Sequence, residues 1–365
     1  MAEEKKKLLG LSLADLEAVA AEMAMPRFTA KQMAQWLYEK RATTVDEMTN
    51  LSKSNRARLS ARYCVGREAP TCAPRRARPA GGGYCVGREA PAEAMRSVDG
   101  TVKYLFRTAG GKMIESVYIP DADRATLCVS SQIGCKMNCS FCMTGKQGYH
   151  GDLTAAEILN QIFSIPESLT LTNIVFMGMG EPMDNYIEVV RAIAVLTERW
   201  GLAWSPKRIT VSSIGKLGDL KRLVEQTDVH IAISVHSPYH EERKRLMPVE
   251  NAFPIKKVMT MLRDYDFAHQ RRLSVEYIMW AGLNDDEAHA DALAKLLEGQ
   301  KVRVNLIRFH AIPGSELKTS DERRMTAFRD RLNSLGVTCT IRRSRGEDIM
   351  AACGMLAGRK LKDNK

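Results

Sequence analysis

The segment GCKMNCSFCMTGKQG, residues 134–148, contains three cysteines, Cys135, Cys139 and Cys142, separated by three and then two residues. Thiolates are ligands for zinc and for iron–sulfur clusters. A structural zinc site needs four ligands, usually as two paired motifs, and no second pair follows in the sequence. Three thiolates instead suit a 4Fe–4S cluster with one iron that no side chain ligates. The triplet therefore predicts an iron–sulfur cluster with one open coordination position.

The composition indicates a protein of the cytoplasm. The 365 residues are 45% hydrophobic, enough for one large domain and one small one, and carry a formal charge of +11. The charge favours a polyanionic partner such as nucleic acid, but many basic proteins have none. The N-terminus lacks a signal-peptide pattern, and no apolar run approaches the ~18 residues of a membrane span. In the cytoplasm, nine cysteines are expected as ligands, nucleophiles or buried apolar residues rather than structural disulfides.

The chain begins with a helical region. Residues 11–62 contain three stretches with apolar residues at helical spacing, and Ser12, Thr29 and Ser52 are their predicted N-caps. This pattern predicts a small N-terminal helical domain over residues 1–62.

A duplication follows that domain. The octapeptide YCVGREAP occurs at 63–70 and again at 84–91, and the spacer between the copies is rich in Pro, Gly and Arg. We interpret residues 63–100 as a linker that carries a tandem duplication. Its cysteines, Cys64, Cys72 and Cys85, could form a zinc site, but a solvent-exposed linker without a ligand role is the favoured interpretation.

The elements that must position the cysteine triplet form an alternating series. Six β-rich apolar runs alternate with helical stretches: TLCVS (126–130), NIVFM (173–177), RITVS (208–212), HIAISV (230–235), LSVEYIM (273–279) and VRVNLI (302–307). This order predicts an α/β fold with a parallel sheet that curls into a partial (βα)6 barrel of the TIM type, over residues 101–340. Functional groups belong at the C-terminal ends of such strands, and the triplet follows the first one.

The spacing CxxxCxxC, with Phe141 before its last cysteine, on this strand–helix pattern resembles the radical S-adenosylmethionine (SAM) superfamily. In that family the open iron binds the amino and carboxylate groups of SAM, and an electron from the cluster cleaves the sulfonium to give a 5′-deoxyadenosyl radical. The resemblance implies two cofactors, one 4Fe–4S cluster and SAM.

The loop MGMGEPMDN after the second strand matches the Gly-Glu-Pro motif with which the same family binds the amino group of SAM. Polar residues also end the third and fourth strands, in VSSIG and SVHSP. Such residues are common turn caps, but the resemblance implies that they contact SAM. His310 stands where many family members have an asparagine contact. The implied SAM contacts are Gly180, Glu181, Ser212, Ser234, Val235, His236 and His310.

Three further segments resemble the RlmN/Cfr family of RNA methyltransferases: RRSRGEDIMAACGMLAG with Cys353, RATLCVSSQIGC with Cys128, and GKMIESVYIP with Glu115. The resemblance covers nearly the whole chain and implies two SAM molecules per turnover. Cys353, in the C-terminal segment 341–365, would accept a methyl group from one SAM, and the second would supply the radical that activates it. Cys128 would release the methylated base by forming a transient disulfide with Cys353. Glu115 would accept a proton, although its pattern also fits a surface residue of a strand.

The resemblance also implies partners. The substrates would be an adenine of 23S rRNA at the peptidyl transferase centre and the adenine 3′ of the anticodon in tRNA, and flavodoxin with its reductase would donate electrons. RSRGEDI favours methylation of carbon 2; the alternatives are Cfr-type methylation of carbon 8 and a non-catalytic iron–sulfur RNA-binding protein. Arg342, Arg343 and Arg345 are expected beside RNA phosphates, with smaller contributions from the tail lysines and the N-terminal domain. No dimerisation element is evident, so a monomer is expected.

Overall fold

The N-terminal domain is helical, as predicted. The computed structural model describes residues 5–65, 88–267 and 271–356. Helices α1 (Leu13–Glu22), α2 (Thr29–Ala34) and α3 (Lys53–Arg62) pack around a shared apolar core, and a π-helical turn (Gln35–Glu39) continues α2. The short strands β1 (Lys6–Lys7) and β2 (Tyr63–Cys64) pair in parallel, so the two ends of the domain lie side by side.

Two of the three predicted helix caps are confirmed. The hydroxyl of Ser12 accepts the Asp15 amide in a capping box, and the hydroxyl of Ser52 accepts the Asn55 amide. The prediction for Thr29 is wrong, because Thr29 is already inside the helix and Phe28, with helical backbone angles, precedes it without a side-chain cap.

The predicted linker is partly ordered structure. Cys64 is buried in β2, where its carbonyl accepts the Leu8 amide at 3.0 Å, so the prediction of an exposed residue is wrong there. At the other end, Glu93–Arg96 forms strand β3, because its backbone pairs with the strand that follows. Cys72, Cys85 and most of the duplicated sequence lie outside the described residues.

In the described part of the chain, the main domain is built on a sheet of ten strands. The six predicted strands are confirmed as parallel neighbours, and an additional parallel strand, β14, extends them at one edge. Their apolar, β-branched residues alternate between a helix-covered face and the barrel interior. The bounds are β6 Arg124–Cys128, β9 Asn173–Phe176, β10 Ile209–Ser213, β11 His230–Ser234, β12 Leu273–Met279, β13 Val302–Arg308 and β14 Thr338–Ile341.

An antiparallel meander extends the other edge of the sheet. It consists of β3, β4 (Val102–Arg107) and β5 (Met113–Asp121), and β5 pairs with β6. A separate hairpin, β7 (Gln132–Gly134) with β8 (Tyr149–Asp152), flanks the cysteine triplet.

Helices cover the parallel strands and bury them. The bounds are α4 Met143–Lys146, α5 Ala155–Phe163, α6 Tyr186–Thr197, α7 Leu217–Gln226, α8 His240–Leu246, α9 Ile255–Leu262, α10 Glu287–Leu296 and α11 Glu322–Ser334. A second, smaller apolar cluster, which includes Phe141, Met247, Trp280 and Phe309, lies beside the cysteine triplet. Within the described ranges, no helix has the length and apolar character needed to cross a bilayer.

Candidate active site

The cysteine triplet lies on a compact loop between β7 and β8. The Cys135 amide donates to the carbonyl of Gly148 at 3.0 Å, and the Cys142 amide donates to that of Cys139 at 3.2 Å. Gly134 has a φ of +76°, and a Cβ there would lie 1.8 Å from the Gly148 carbonyl oxygen. The loop can close on itself only because this position is glycine.

Three thiols on one short loop match the donor set of a 4Fe–4S cluster that keeps one iron open. No three His, Cys, Asp or Glu side chains in the described part of the chain are arranged to hold one metal ion. In a cubane cluster each thiolate ligates a different iron, so the sulfurs lie further apart than the ligands of one ion. Burial raises the pKa of Cys139 well above its ordinary value, and the neighbouring Cys142 and Cys135 add to the effect. Iron compensates that cost, because it binds thiolates directly.

A buried cation lies close to these thiols. Arg243 is fully buried, forms an ion pair with Glu250, and lowers the pKa of Cys139, in opposition to burial. Its guanidinium donates to the carbonyls of Ile214 and Ser234, both at 2.9 Å. Arg243 therefore ties the ends of β10 and β11 together and provides positive charge beside the cysteine triplet.

The Gly-Glu-Pro loop packs against the chain that follows β6. Gly180 has a φ of +100°, and a Cβ there would lie 2.5 Å from Cβ of Gln132. The buried Glu181 carboxylate accepts the Met183 amide at 3.1 Å and the Ile214 amide at 3.0 Å. Burial raises the pKa of Glu181 to about 7. The loop therefore presents a fixed carboxylate beside the cysteine triplet, suited to an ammonium group.

The remaining predicted SAM contacts cluster at the ends of neighbouring strands. Ser212 lies near the end of β10, Ser234 is the last residue of β11, and Val235 and His236 follow it. His236 has a φ of +61°, and its Nδ1 accepts the Ile278 amide at 3.0 Å, so the ring proton resides on Nε2. Burial lowers the pKa of His236 to about 3, so the ring is neutral at physiological pH.

Glu115 is buried rather than exposed at a strand surface. It is 1% exposed and lies in β5, where its Oε1 is 3.6 Å from Nζ of Lys103, which is 2% exposed. Lys103 also donates to the carbonyl of Met350 at 3.3 Å. A carboxylate in this environment is held in place by a buried counter-charge that also contacts the C-terminal segment.

The C-terminal segment places Cys353 against the cysteine triplet. The Met143 amide, next to Cys142, donates to the carbonyl of Gly354 at 2.8 Å, and the Thr144 hydroxyl donates to that of Leu356 at 2.8 Å. Cys353 is accessible to solvent, but the surrounding protein desolvates its thiol enough to raise the pKa.

Cys128 ends strand β6 and is buried. Burial raises its pKa to about 12, and electrostatic repulsion from Cys353, on the same side of the sheet's end, adds to the effect. Both are free cysteines, as are the other cysteines in the described ranges.

Comparison with known proteins agrees with this geometry. Residues 129–295 match the Radical SAM superfamily, and residues 6–65 match the ribosomal RNA large subunit methyltransferase N-terminal domain. The probable dual-specificity RNA methyltransferase RlmN of Porphyromonas gingivalis is 55% identical over 100% of this chain and 97% of its own length. The chain belongs to the RlmN family.

Other relatives are similar over nearly their whole length. The dual-specificity RNA methyltransferase RlmN of Halorhodospira halophila is 40% identical over 96% of this chain and 93% of its own. The crystal structure of a radical SAM methyltransferase from Sphaerobacter thermophilus superimposes with a TM-score of 0.85 at 36% identity, covering 97% of this chain and 100% of that one. As an RlmN-family member, the protein is a radical SAM RNA methyltransferase that uses a 4Fe–4S cluster and SAM.

The three arginines before Cys353 differ in their surroundings. Arg342 places Nη2 3.5 Å from Oε1 of the buried Glu276 and lowers the pKa of both Cys128 and Cys353. Arg345 is paired with Asp121 at 3.0 Å, which occupies its guanidinium, whereas Arg343 is exposed. Arg342 is exposed as well, but Arg343 is the one of the three without an ion pair among the described residues, which leaves its guanidinium available to an RNA phosphate.

His310 contacts the C-terminal segment of this RlmN-family chain. Its Nε2 lies 3.3 Å from Oγ of Ser344, and its Nδ1 lies 3.9 Å from Glu347. The imidazole follows β13 and is near the site, but a contact between it and SAM stays a prediction.

Sequence reasoning missed three charged residues of the site: Lys103, Arg243 and Glu276. Two of them stand in apolar strand patterns, VKYLF and LSVEYIM. A charged residue inside such a run is seldom buried without a partner, and that is the signal that could have identified them. Arg243 lies in the charged sequence HEERKRL of α8, where nothing distinguishes it from its exposed neighbours.

Proposed function

We propose that the protein methylates carbon 2 of adenine in 23S rRNA and in tRNA, with Cys353 as the methyl carrier. One observation supports this most strongly. The loop with Cys353 is hydrogen-bonded to the loop with the predicted cluster ligands, through the amide of Met143 and the carbonyl of Gly354. A side chain that carries a methyl group to a radical centre must lie next to that centre, and an RNA-binding protein without catalysis has no need of such a contact.

The chemistry of adenine explains the need for a carrier. Carbon 2 belongs to an amidine and is electrophilic, so it cannot displace the methyl group of a sulfonium. When bound, the cluster and SAM supply one-electron chemistry that avoids this obstacle. Cys135, Cys139 and Cys142 would hold the cluster, and Glu181 would orient SAM through its ammonium group.

Cys353 would first take a methyl group from SAM as a thiolate, since the thiolate is the nucleophilic form. Cys353 is an exposed residue, which allows both SAM and a base to approach it. Arg342 favours the thiolate electrostatically and opposes the effect of desolvation. With one SAM consumed to methylate Cys353 and a second to activate that methyl group, each turnover uses two.

Cys128 and Glu115 would complete the reaction. Once the base is linked to Cys353 through its methylene group, the Cys128 thiolate attacks the sulfur of Cys353 and a disulfide forms as the carbon–sulfur bond breaks. The departing methylene carbon keeps the electron pair of that bond and takes up a proton to become the methyl group. Before that attack, the radical adduct must lose the hydrogen on carbon 2 as a proton and an electron. Glu115 accepts the proton, and the electron would return to the oxidised 4Fe–4S cluster. The buried ion pair with Lys103 supports this role, because an ammonium 3.6 Å from Oε1 holds the carboxylate in place.

The remaining SAM contacts would come from Gly180, Ser212, Ser234, Val235, His236 and His310. His236 supports this assignment, because its neutral ring has Nε2–H free to donate while Nδ1 is occupied. Gly180 lets the backbone approach a ligand closely.

An RNA substrate implies which parts of the chain would bind it and where the enzyme would act. The N-terminal helical domain and Arg343 would contact the RNA backbone, as would the tail lysines, which lie outside the described residues. Such an enzyme would act as a monomer in the cytoplasm, where rRNA and tRNA are modified, and flavodoxin with its reductase would supply electrons.

Mass spectrometry of nucleosides tests the proposal. The gene is expressed in a bacterial host that lacks its own carbon-2 methyltransferase, and rRNA and tRNA are digested separately. We expect 2-methyladenosine in both, its loss in Cys353→Ala, and its retention in the control Cys339→Ala, which alters a buried cysteine on β14. Formation of 8-methyladenosine instead would assign the protein to the Cfr type, and no methylated adenosine from the wild type would refute the proposal.

A further inference from the structure

The turn that joins β3 to β4, residues 97–101, is bonded to the segment that leads to Cys353. Asp348 accepts the Ser97 hydroxyl at 2.6 Å and the Val98 amide at 3.1 Å. In return, Asp99 accepts the Gly346 amide at 3.0 Å. The carboxylate of the segment therefore accepts from the turn, and a carboxylate of the turn accepts from the segment.

Asp99 also accepts a hydrogen bond within the turn. Its other carboxylate oxygen accepts the Thr101 amide at 2.9 Å, so one side chain both closes the turn and holds the segment. These hydrogen bonds lower the pKa of Asp99 in opposition to burial, and those from Ser97 and Val98 lower the pKa of Asp348. Both residues are thus ionised acceptors, which form stronger hydrogen bonds than neutral ones.

The close approach depends on Gly346. Its φ is +65°, and a Cβ there would lie 3.0 Å from Cγ2 of Thr101 and 2.8 Å from Cβ of Ala351. The Ala351 amide donates to the Gly346 carbonyl at 2.8 Å, which folds the segment back toward the barrel. Any larger residue at position 346 would push the segment off the turn.

The segment lacks regular secondary structure between residues 342 and 356, so its shape depends on such contacts. Beyond the turn it is held by Lys103, which donates to Met350, and by Met143, which donates to Gly354. Cys353 lies between these last two attachments. A loop without these attachments would sample many positions, and its thiol would then have no fixed geometry.

We propose that Asp99 and Asp348 are positioning residues that form a latch, defined as the contact of residues 97–101 with residues 345–348, which fixes Cys353 between Cys128 and the cysteine triplet. The inference rests on the proposed role of Cys353 as methyl carrier. The latch acts through the segment and touches neither SAM nor RNA.

The test compares Asp348→Ala and Asp348→Asn with the wild type, with Asp123→Ala as a matched control at an exposed position of the turn between β5 and β6. Three measurements are made on the full-length protein: amide hydrogen exchange of residues 345–353, the rate of Cys353 alkylation by iodoacetamide, and, after cluster reconstitution, the rate of Cys353 S-methylation from SAM. Asp99→Asn, which weakens the other half of the latch, is a second variant.

We expect Asp348→Ala to exchange faster and to be alkylated several-fold faster, while S-methylation slows by up to about 10²-fold, since misplacement of a reacting group by 1 Å can cost that much. Asp348→Asn should be intermediate, and Asp123→Ala should match the wild type. Global loss of structure would instead slow methylation and expose the buried Cys128 to alkylation as well. Unchanged exchange and alkylation in Asp348→Ala and Asp99→Asn would overturn the latch. Absence of S-methylation in the wild type would refute the carrier role, and exchange and alkylation would still decide the latch.

Discussion

Lys103 Nζ lies 3.6 Å from Glu115 Oε1 in the interior of the protein, with both side chains almost completely buried. Burial of two charges is costly, and well-packed apolar residues at such positions often stabilise a protein more. The pair links adjacent strands, β4 and β5, and Lys103 extends it to the carbonyl of Met350. We interpret the pair as retained for catalysis rather than for stability.

Replacing Glu115 should separate these two effects. Glu115→Gln should reduce formation of 2-methyladenosine by about 10²–10⁴-fold, the usual contribution of a general base. It should also lower the free energy of unfolding by about 3–5 kcal/mol, because Lys103 becomes a buried charge without its carboxylate. The double variant Lys103→Met/Glu115→Gln should recover stability in urea denaturation but not activity. Retained activity in Glu115→Gln would assign the proton to another group.

The cysteine triplet should be required for the cluster. Cys139→Ser removes a buried thiol and leaves two ligands, so iron and sulfide per chain after anaerobic reconstitution should fall to near zero. Cys339→Ser, a buried cysteine outside the site, should retain the wild-type iron content. Equal iron in the two variants would show that Cys139 is not a ligand.

Gly180 should tolerate no side chain. Gly180→Ala combines a φ of +100° with a Cβ that would lie 2.5 Å from Gln132, so it should destabilise the fold by about 1–3 kcal/mol and weaken SAM binding. Gly218→Ala is the matched control, since its Cβ would meet nothing within 4 Å at an exposed position of α7. It should change stability by no more than about 1 kcal/mol. Thermal denaturation and equilibrium dialysis with SAM measure both effects, and normal SAM binding by Gly180→Ala would contradict the role of the Gly-Glu-Pro loop.

His236 should make stability depend on pH. Its pKa is about 3 in the folded protein against 6.5 for the unperturbed side chain, so between these values the unfolded chain binds the extra proton. The free energy of unfolding should therefore rise as pH increases from about 3 to about 6.5, with a contribution of up to about 1.4 kcal/mol per pH unit, and then level off. His236→Gln should flatten this slope in urea titrations, whereas His150→Gln, at an exposed position, should not. An unchanged slope in His236→Gln would show that the ring is not buried in its neutral form.

Local patterns were sufficient to predict the elements of the barrel and the cysteine triplet. The six apolar runs each had the length and composition of a buried strand, and the triplet needed only spacing. Strand β14 escaped prediction because TCTI is short and half polar, and its pairing with β13 is a tertiary contact. The contact of Ser97 with Asp348 could not be predicted from local patterns either, because it joins residues 251 positions apart in the chain. The role of Thr29 was mistaken because helix α2 starts one residue earlier than its hydroxyl suggested.

The attachments of the segment after β14 limit the positions that the Cys353 thiol can occupy. Bonds at Gly346, Met350 and Gly354 restrict it to the vicinity of Cys128, whereas a thiol on a free flexible tether has an effective concentration of only about millimolar. The proposed attack of Cys128 on Cys353 would then be a unimolecular event, with which dissolved glutathione competes poorly. The protein would in this way act as its own resolving partner, and the cellular thiol pool would be needed only afterwards, to reduce the disulfide before the next methyl group is loaded.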